Sequence, residues 1–371
     1  MSDITRLKVK HQTGEYEILV GQGLLDKLVV HLQEVDVAGP IGIITNSTVN
    51  DLYGDQLRES LKKAGLVTRT ILIPDGEKFK TLASTEQVIS ALIAQGMERS
   101  GTIITLGGGV TTDLGGFVAS ILFRGIKLVH IPTTLLAMVD ASVGGKTGVN
   151  HISGKNLIGS FYQPDLVVMD VDTLKTLDPR DQISGYAEML KTGVIRDLDY
   201  FEFLADHLEQ LLKLGSSQEL IQAITRSCEI KAEVVEADEK EADLRRILNF
   251  GHTIGHAIET SIGYGEIRHG EAVVLGMYAA GWLSNQVGSL TLEAWEKLAE
   301  ILLGIPIPIS VDSLDPIAIE QATRLDKKVA NSQLHFVLLN RLGEAEMKSG
   351  IPTIMIKLAV EALKTAWRNK K

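Results

Sequence analysis

Five short aliphatic runs constrain what this chain can fold into: Ile41–Thr45, Val67–Ile73, Thr102–Leu106, Leu128–Ile131 and Leu166–Met169. Helical patterns separate them, among them Leu52, Leu57 and Leu61 closed by Gly65, then Thr81–Gln95. Near-continuous apolar runs suit strands buried on both faces, and their alternation with helices predicts a parallel sheet covered on both sides. Ahead of them, Leu7-Lys8-Val9 and Tyr16–Val20 flank Thr13-Gly14 and predict an opening hairpin.

After Leu177-Asp178-Pro179 the texture changes. Ile183–Ile195, Tyr200–Leu212, Gln218–Glu241, Asn249–Ile262, Glu271–Gln286 and Thr291–Leu303 read as helices, and only Leu334–Leu339 as a strand. The expected fold class is therefore α/β. An N-terminal Rossmann-like parallel-sheet domain (1–179) precedes a mostly α-helical domain (180–371), and 371 residues suit two or three domains at about 150 residues each. The Lys-rich end, Lys364–Lys371, reads as a solvated helix terminus.

A net charge of −10 argues against a general nucleic-acid surface and leaves room for a small basic pocket that takes an anionic metabolite. Cys228 is the single cysteine, which excludes an intramolecular disulfide and a cysteine-based zinc site and fits a reducing compartment. Met1–Tyr16 lacks the apolar core of a signal peptide, and the most apolar stretch, Ala272–Leu283, is too short to span a bilayer. A cytoplasmic protein with no membrane or nucleic-acid partner is expected.

Gly107-Gly108-Gly109 lies between a strand and a helix expected to begin near Asp113, where a parallel sheet offers backbone N–H groups to a dinucleotide pyrophosphate. The third glycine of the dinucleotide fingerprint is missing, since Thr112 stands there. Ser142–Gly148 contains Gly-Lys-Thr, but Asp140 occupies the first glycine of the nucleotide-binding P-loop pattern, which excludes that reading. Lys146, and Lys155 with Asn156, are then cationic and polar groups on glycine-rich loops, suited to an anion.

Glu188 and Lys191 lie three apart on a helix and share a face; their apolar neighbours would turn the carboxylate inward, where it wants a metal or a cation. His252 and His256, four apart, also share a face, and His269 follows the turn Gly263-Tyr264-Gly265. A lone histidine would be read as packing; three in this short span suggest a catalytic metal site of three imidazoles. Lys231, Glu241, Arg245 and Asn249 look like an ordinary charged helix face.

Together, Asp75–Lys78, Gly107–Asp113, Ile131–Thr134, Val139–Asn150, Gly154–Pro164, Ser184–Lys191, Leu248–His256 and His269-Gly270-Glu271 closely resemble the 3-dehydroquinate synthases, sugar-phosphate cyclases of the shikimate pathway. The resemblance implies metal ligands at Glu188, His252 and His269, with His256 on the substrate side. It implies NAD contacts at Asp75, Gly76, Glu77, Lys78, Phe79 and Lys80, and at Gly109, Val110, Thr111, Thr112 and Asp113. Further NAD contacts fall on Thr133, Thr134, Lys146, Lys155, Thr173, Leu174, Lys175 and Thr176. Substrate positions fall on Asp140, Lys146, Asn156, Lys191, Lys231, Arg245, Asn249 and His256. Arg124 would reach a neighbouring subunit's site, which implies a homodimer, and Asp326-Lys327-Lys328 would add a phosphate-binding lysine. One departure is Thr111-Thr112 where the family more often ends the pair in glycine; φ > 0 is not freely open to threonine, which bears on the pyrophosphate geometry.

The implied activity converts 3-deoxy-D-arabino-heptulosonate 7-phosphate to 3-dehydroquinate and phosphate. It proceeds by transient oxidation with NAD, phosphate β-elimination, re-reduction, ring opening and intramolecular aldol closure, with Zn2+ or Co2+ as the metal. Three other readings share parts of the pattern: an NAD- and metal-dependent polyol dehydrogenase of the glycerol type, a sibling cyclase, and a non-catalytic protein that binds NAD and zinc.

Overall fold

All five aliphatic runs enter one seven-stranded sheet. Its strands are β1 (Thr5–His11), β2 (Gly14–Gly21), β3 (Ile41–Asn46), β4 (Thr68–Ile73), β5 (Thr102–Gly107) and β6 (Lys127–Pro132). A separate hairpin of β7 (Lys146–His151) and β8 (Gly154–Phe161) follows, and then β9 (Leu166–Asp170) completes the sheet. The order is β1-β2-β9-β6-β5-β3-β4, parallel throughout except for the antiparallel edge pair β1–β2. From β3 the chain moves outward to β4 and then returns to the other side of β3 as β5. The direction of winding therefore reverses between β3 and β5, at the carboxyl ends where such sheets hold ligands.

The computed structural model describes residues 4–37, 39–215, 217–263, 265–325 and 334–370. Two compact units account for the chain: Met1–Leu177 with Ser216–Lys240, and Asp178–Gly215 with Glu241–Lys371.

In the first unit, alternation along each strand sends successive side chains to opposite faces. Ile43, Ile104 and Val129 pack with Leu24, Leu28, Leu57 and Leu61 from the helices Leu24–Glu34 and Asp55–Lys63. Ile44, Ile103 and Leu128 pack on the other face with Val88, Leu92, Leu114 and Val118 from Leu82–Ala94 and Gly109–Ile121. Each such side chain, fully buried, stabilises the fold by about 2 kcal/mol. The helix Ser217–Ala237 also belongs here, against β1. The edge N–H of Lys10 donates to Glu236 (3.0 Å), and the N–H of Gln12 in the following turn donates to Glu239, just past the helix (3.1 Å). A division at Pro179 assigns that helix to the later domain; an exposed sheet edge in need of acceptors draws it to the first unit.

In the second unit the helix His269–Val287 is the centre, packed by Pro179–Arg196, His252–Ile262, Leu292–Gly304 and Thr353–Asn369. Two elements here escape the sequence pattern. The hairpin of β10 (His335–Arg341) and β11 (Glu344–Ser349) includes a second strand whose polar run Glu-Ala-Glu-Met-Lys-Ser carries little apolar signal. The C-terminal helix is longer than its lysines suggest; Lys364 is 9% exposed and donates to the Leu314 carbonyl at 2.5 Å, whereas Thr365, Arg368, Asn369 and Lys370 are exposed, as a solvated terminus requires. Among the described residues, no helix is long and apolar enough to cross a membrane.

Candidate active site

Four of the expected cofactor segments follow the carboxyl ends of parallel strands: Asp75–Lys80 after β4, Gly109–Asp113 after β5, Thr133-Thr134 after β6, and Thr173–Thr176 after β9. The helix expected to begin near Asp113 starts at Gly109, because Gly108 already has extended backbone and its carbonyl accepts from the N–H groups of Thr111 and Thr112. No side chain caps that helix, and a Cβ at Gly108 would lie 3.0 Å from Thr134 while one at Gly107 would lie 2.6 Å from Thr111. The turn therefore has no room for side chains, and its backbone is open to an anionic group. Thr112 sits inside the helix, its hydroxyl donating to the Gly109 carbonyl at 3.0 Å, so a residue there needs no positive φ. The departure from glycine is harmless to the backbone.

Lys80, only 3% exposed, ties these segments together. Its ammonium donates to the Asp113 carboxylate and, at 2.6 Å, to Asn156 Oδ1, while Glu77 Oε1 lies 3.8 Å away. Burial works against this charge, but the Asp113 and Glu77 carboxylates outweigh it and hold Lys80 above its usual range. Asn150 closes the network: its N–H donates to the Lys80 carbonyl (2.8 Å), its amide donates to Glu77 Oε1 (2.8 Å), and its Oδ1 accepts from the Asn156 N–H (2.8 Å). Lys146, Lys155 and Asn156 are not on loops, as the glycines suggest, but on β7 and β8. Gly148 and Gly159 face each other there so closely that a Cβ on either would strike the opposite backbone at 2.5 or 2.1 Å. Both lysines are exposed, and Asn156 takes the left-handed conformation (φ +56°) that asparagine tolerates.

Elsewhere in this unit Lys231, 7% exposed, donates to the Asp140 carbonyl at 2.6 Å and to its carboxylate. Thr173 and Thr176 are bonded to the Tyr53 hydroxyl at 2.9 and 2.6 Å, Leu174 is buried, and Lys175 is exposed beside Asp172 at 2.6 Å. Asp75 accepts from Thr48, and Lys78 lies over the Phe79 ring at 5.0 Å. Arg124 is exposed in a turn where Phe123, Arg124 and Gly125 all have positive φ (52°, 68° and 110°). Cys228 is buried, its thiol pushed up to about 12 by burial, as befits packing rather than nucleophilic work.

The second unit brings together the histidines and Glu188. Glu188, on the helix Pro179–Arg196, is 2% exposed. One carboxylate oxygen accepts from the Lys191 ammonium. The other, Oε1, is buried with no hydrogen-bond partner and faces Nε2 of His252 and Nε2 of His269, each at 3.6 Å. Burial opposes ionisation of Glu188, but Lys191, His252 and His269 outweigh it and hold it well below the usual carboxylate range. Burial, with the Lys191 ammonium behind it, depresses His252 to about 3, so its ring is neutral at pH 7. Burial opposes the charge on His269, but Glu188 and Glu259 outweigh it and move it up to about 9; a metal ion bound there would displace that proton. His256 shares the space, and ligand atoms of His252, His256 and His269 lie within 4.8 Å of one another.

A buried oxygen with no donor, opposite two imidazole nitrogens at 3.6 Å, fits a divalent metal. Donors about 2.1 Å from a tetrahedral ion are about 3.4 Å apart. The three-histidine set of the spacing argument is also gathered, at longer range. Arg245, which reads as a surface charge, is 2% exposed, because the chain leaves the helix at Ala237 and re-enters the core as the short turn Leu244–Asn249. Asn249 is exposed and donates to Glu241 at 3.1 Å. Asp326, Lys327 and Lys328 lie outside the described residues. One residue escapes the sequence reading altogether: Glu259, 5% exposed, with Oε1 3.6 Å from His269 Nδ1. Its position seven residues after His252 on one helix face was the available signal.

The family model for the N-terminal part of 3-dehydroquinate synthase matches residues 70–184, and that for its C-terminal part matches residues 185–329. The chain belongs to the 3-dehydroquinate synthase family. A 3-dehydroquinate synthase of Thermodesulfovibrio yellowstonii is 46% identical over 344 residues, covering 92% of this chain and 95% of the relative. One from Crocosphaera subtropica is 43% identical over 364 residues, 96% of this chain and 99% of the relative. Among solved structures, a 2-deoxy-scyllo-inosose synthase complexed with carbaglucose-6-phosphate, NAD+ and Co2+ superposes with a TM-score of 0.87 at 28% identity, covering 96% of this chain and all (100%) of the other. The 2-epi-5-epi-valiolone synthase of Streptomyces hygroscopicus subsp. jinggangensis 5008, with NAD+ and Zn2+ bound, gives 0.86 at 28% identity over 97% and 99% of the two chains. Glycerol dehydrogenase of Schizosaccharomyces pombe shares the fold alone, with a TM-score of 0.61 at 18% identity over 94% and 88%.

Proposed function

We propose that this protein is a 3-dehydroquinate synthase, converting 3-deoxy-D-arabino-heptulosonate 7-phosphate to 3-dehydroquinate and phosphate in the cytoplasm as a homodimer. The observation that carries the reading is Glu188 Oε1, buried and facing two imidazole nitrogens in a chain of this family. In this reading the 1–179 domain holds the cofactor and the 180–371 domain holds the metal and substrate.

Zn2+ or Co2+ on Glu188, His252 and His269 supplies Lewis acidity toward a substrate hydroxyl, and NAD supplies a reversible hydride acceptor. The residues of this chain do the rest. Gly109–Asp113 and Thr133-Thr134 offer a glycine-lined turn to the pyrophosphate, and Lys80 holds Asp113 and Asn156 in register. Lys146, Lys155, Lys191, Lys231 and Arg245 supply cationic charge for a substrate bearing a carboxylate and a phosphate. Asp140, Asn156, Asn249 and His256 orient its hydroxyls.

The polyol dehydrogenase reading shares the first hydride transfer and differs in the later steps. A dehydrogenase leaves one NADH per turnover, whereas the cyclase takes the hydride back. With the heptulosonate phosphate in large excess over NAD, phosphate release is expected to continue far beyond the NAD present, with dehydroquinate rising in step and free NADH absorbance near zero. Phosphate release that stops when NAD is spent, or steady NADH production from glycerol, would replace the cyclase with the dehydrogenase.

A further inference from the structure

The two imidazoles that face Glu188 differ in what stands behind them. His252 directs Nε2 toward Glu188 Oε1 (3.6 Å), and its Nδ1 lies 3.2 Å from the Phe250 carbonyl, which accepts the Nδ1 proton. His269 also directs Nε2 toward Glu188 Oε1 (3.6 Å), but its Nδ1 faces Oε1 of Glu259 at 3.6 Å. A carboxylate 5% exposed requires a donor or a cation beside it, and this one lies against the ring nitrogen turned away from Glu188. It comes from the helix His252–Ile262 that also presents His252 and His256, seven and three residues before it, so a single helix face supplies both the imidazoles and the backing carboxylate.

We propose that Glu259 is a positioning residue of the metal centre: its carboxylate accepts the Nδ1 proton of His269, fixes the ring, and leaves Nε2 as the donor to the metal. The inference rests on the metal assignment made above and deepens it. Glu259 is not itself a ligand, since the nitrogen it faces is the one opposite the side where Glu188 and His252 converge. At 3.6 Å the contact is an ion-pair distance, longer than a hydrogen bond. Carboxylates placed behind a ligating histidine raise its basicity and hold its tautomer.

The test is zinc affinity, measured on the full chain by competition with a chromophoric chelator, for the parent, Glu259→Gln and Glu259→Ala. Both variants are expected to bind zinc about 10- to 100-fold more weakly. Glutamine, whose amide oxygen still accepts a proton, loses less than alanine. The visible absorption bands of the Co2+-loaded variants are expected to shift from those of the parent, a change that packing damage elsewhere in the fold would not produce. Circular dichroism establishes that each variant is folded; if Glu259→Ala does not fold, Glu259→Gln decides. Zinc affinity within about twofold of the parent in a folded variant, well short of the loss expected for such a carboxylate, with an unchanged cobalt spectrum, overturns the role of Glu259 alone. A parent that binds no zinc overturns the metal centre itself, and this inference with it.

Discussion

Glu188 must be compensated where it sits: at 2% exposure an isolated carboxylate is strongly disfavoured. Lys191 satisfies one oxygen, and the other is left to two imidazoles that do not reach hydrogen-bond distance. That geometry separates the two candidate ligand sets. His252→Ala and His269→Ala are expected to lose bound zinc by elemental analysis, whereas His256→Ala keeps the metal and loses rate. Equal metal loss in all three would restore the three-histidine set. The i, i+4 pair His252/His256 was legible as a shared face, since helical spacing is local. The pairing of His269 with Glu188 and Glu259 was not, because no periodicity links residues on separate helices; the resemblance to a family pointed to Glu188, and Glu259 was marked only by its place seven residues after His252 on the same helix face.

Helix crossings decide whether those side chains meet. Beside His269, Gly270 lies so close to the helix Pro179–Arg196 that a Cβ there would be 2.2 Å from Ser184 Cα, with the Ser184 carbonyl at 2.7 Å. A bidentate pair locks the same crossing: Arg180 donates to both oxygens of buried Glu271 at 2.7 Å, and Glu271 also accepts from the Arg268 N–H at 2.8 Å, capping the helix that begins at His269. Gly270→Ala must push the two helices apart. Overpacking of this kind costs about 1–3 kcal/mol. The unfolding midpoint of the metal-free protein should fall by about 2–4 °C per kcal/mol in calorimetry, and zinc affinity should fall with it, because Glu188 and His269 ride on the separated helices. An unchanged midpoint would mean that the crossing has slack beyond these distances. The glycine was legible as part of a motif; the approach it permits belongs to the crossing.

At the scale of the whole molecule, Arg124 has no evident task inside its own chain. It is exposed, has the left-handed conformation (φ 68°), and its side chain makes no hydrogen bond or ion pair among the described residues. Holding a non-glycine residue there costs about 1–3 kcal/mol, a strain that accompanies functional positions. If Arg124 completes the site of a second subunit, Arg124→Ala and Lys191→Ala proteins, each inactive alone, should regain activity when mixed, because some mixed dimers contain one intact site. No recovery despite demonstrated subunit exchange would assign Arg124 to its own chain's site.

By itself the sequence determined the parallel sheet, because buried strands and amphipathic helices advertise themselves in patterns a few residues long. It determined the strand-to-helix glycine turn for the same reason, and the ordered motifs determined the family. Tertiary structure decided what depends on contacts between distant segments. It drew Ser217–Ala237 onto the sheet edge through Glu236, and it paired Gly148 with Gly159 to make a hairpin where glycines suggested loops. It buried Arg245 and Lys364, whose charges read as surface, by surrounding them with elements far away in the chain. Above all it placed Glu188, His252, His269 and Glu259 around one another, because three-dimensional proximity between helices has no period in one dimension.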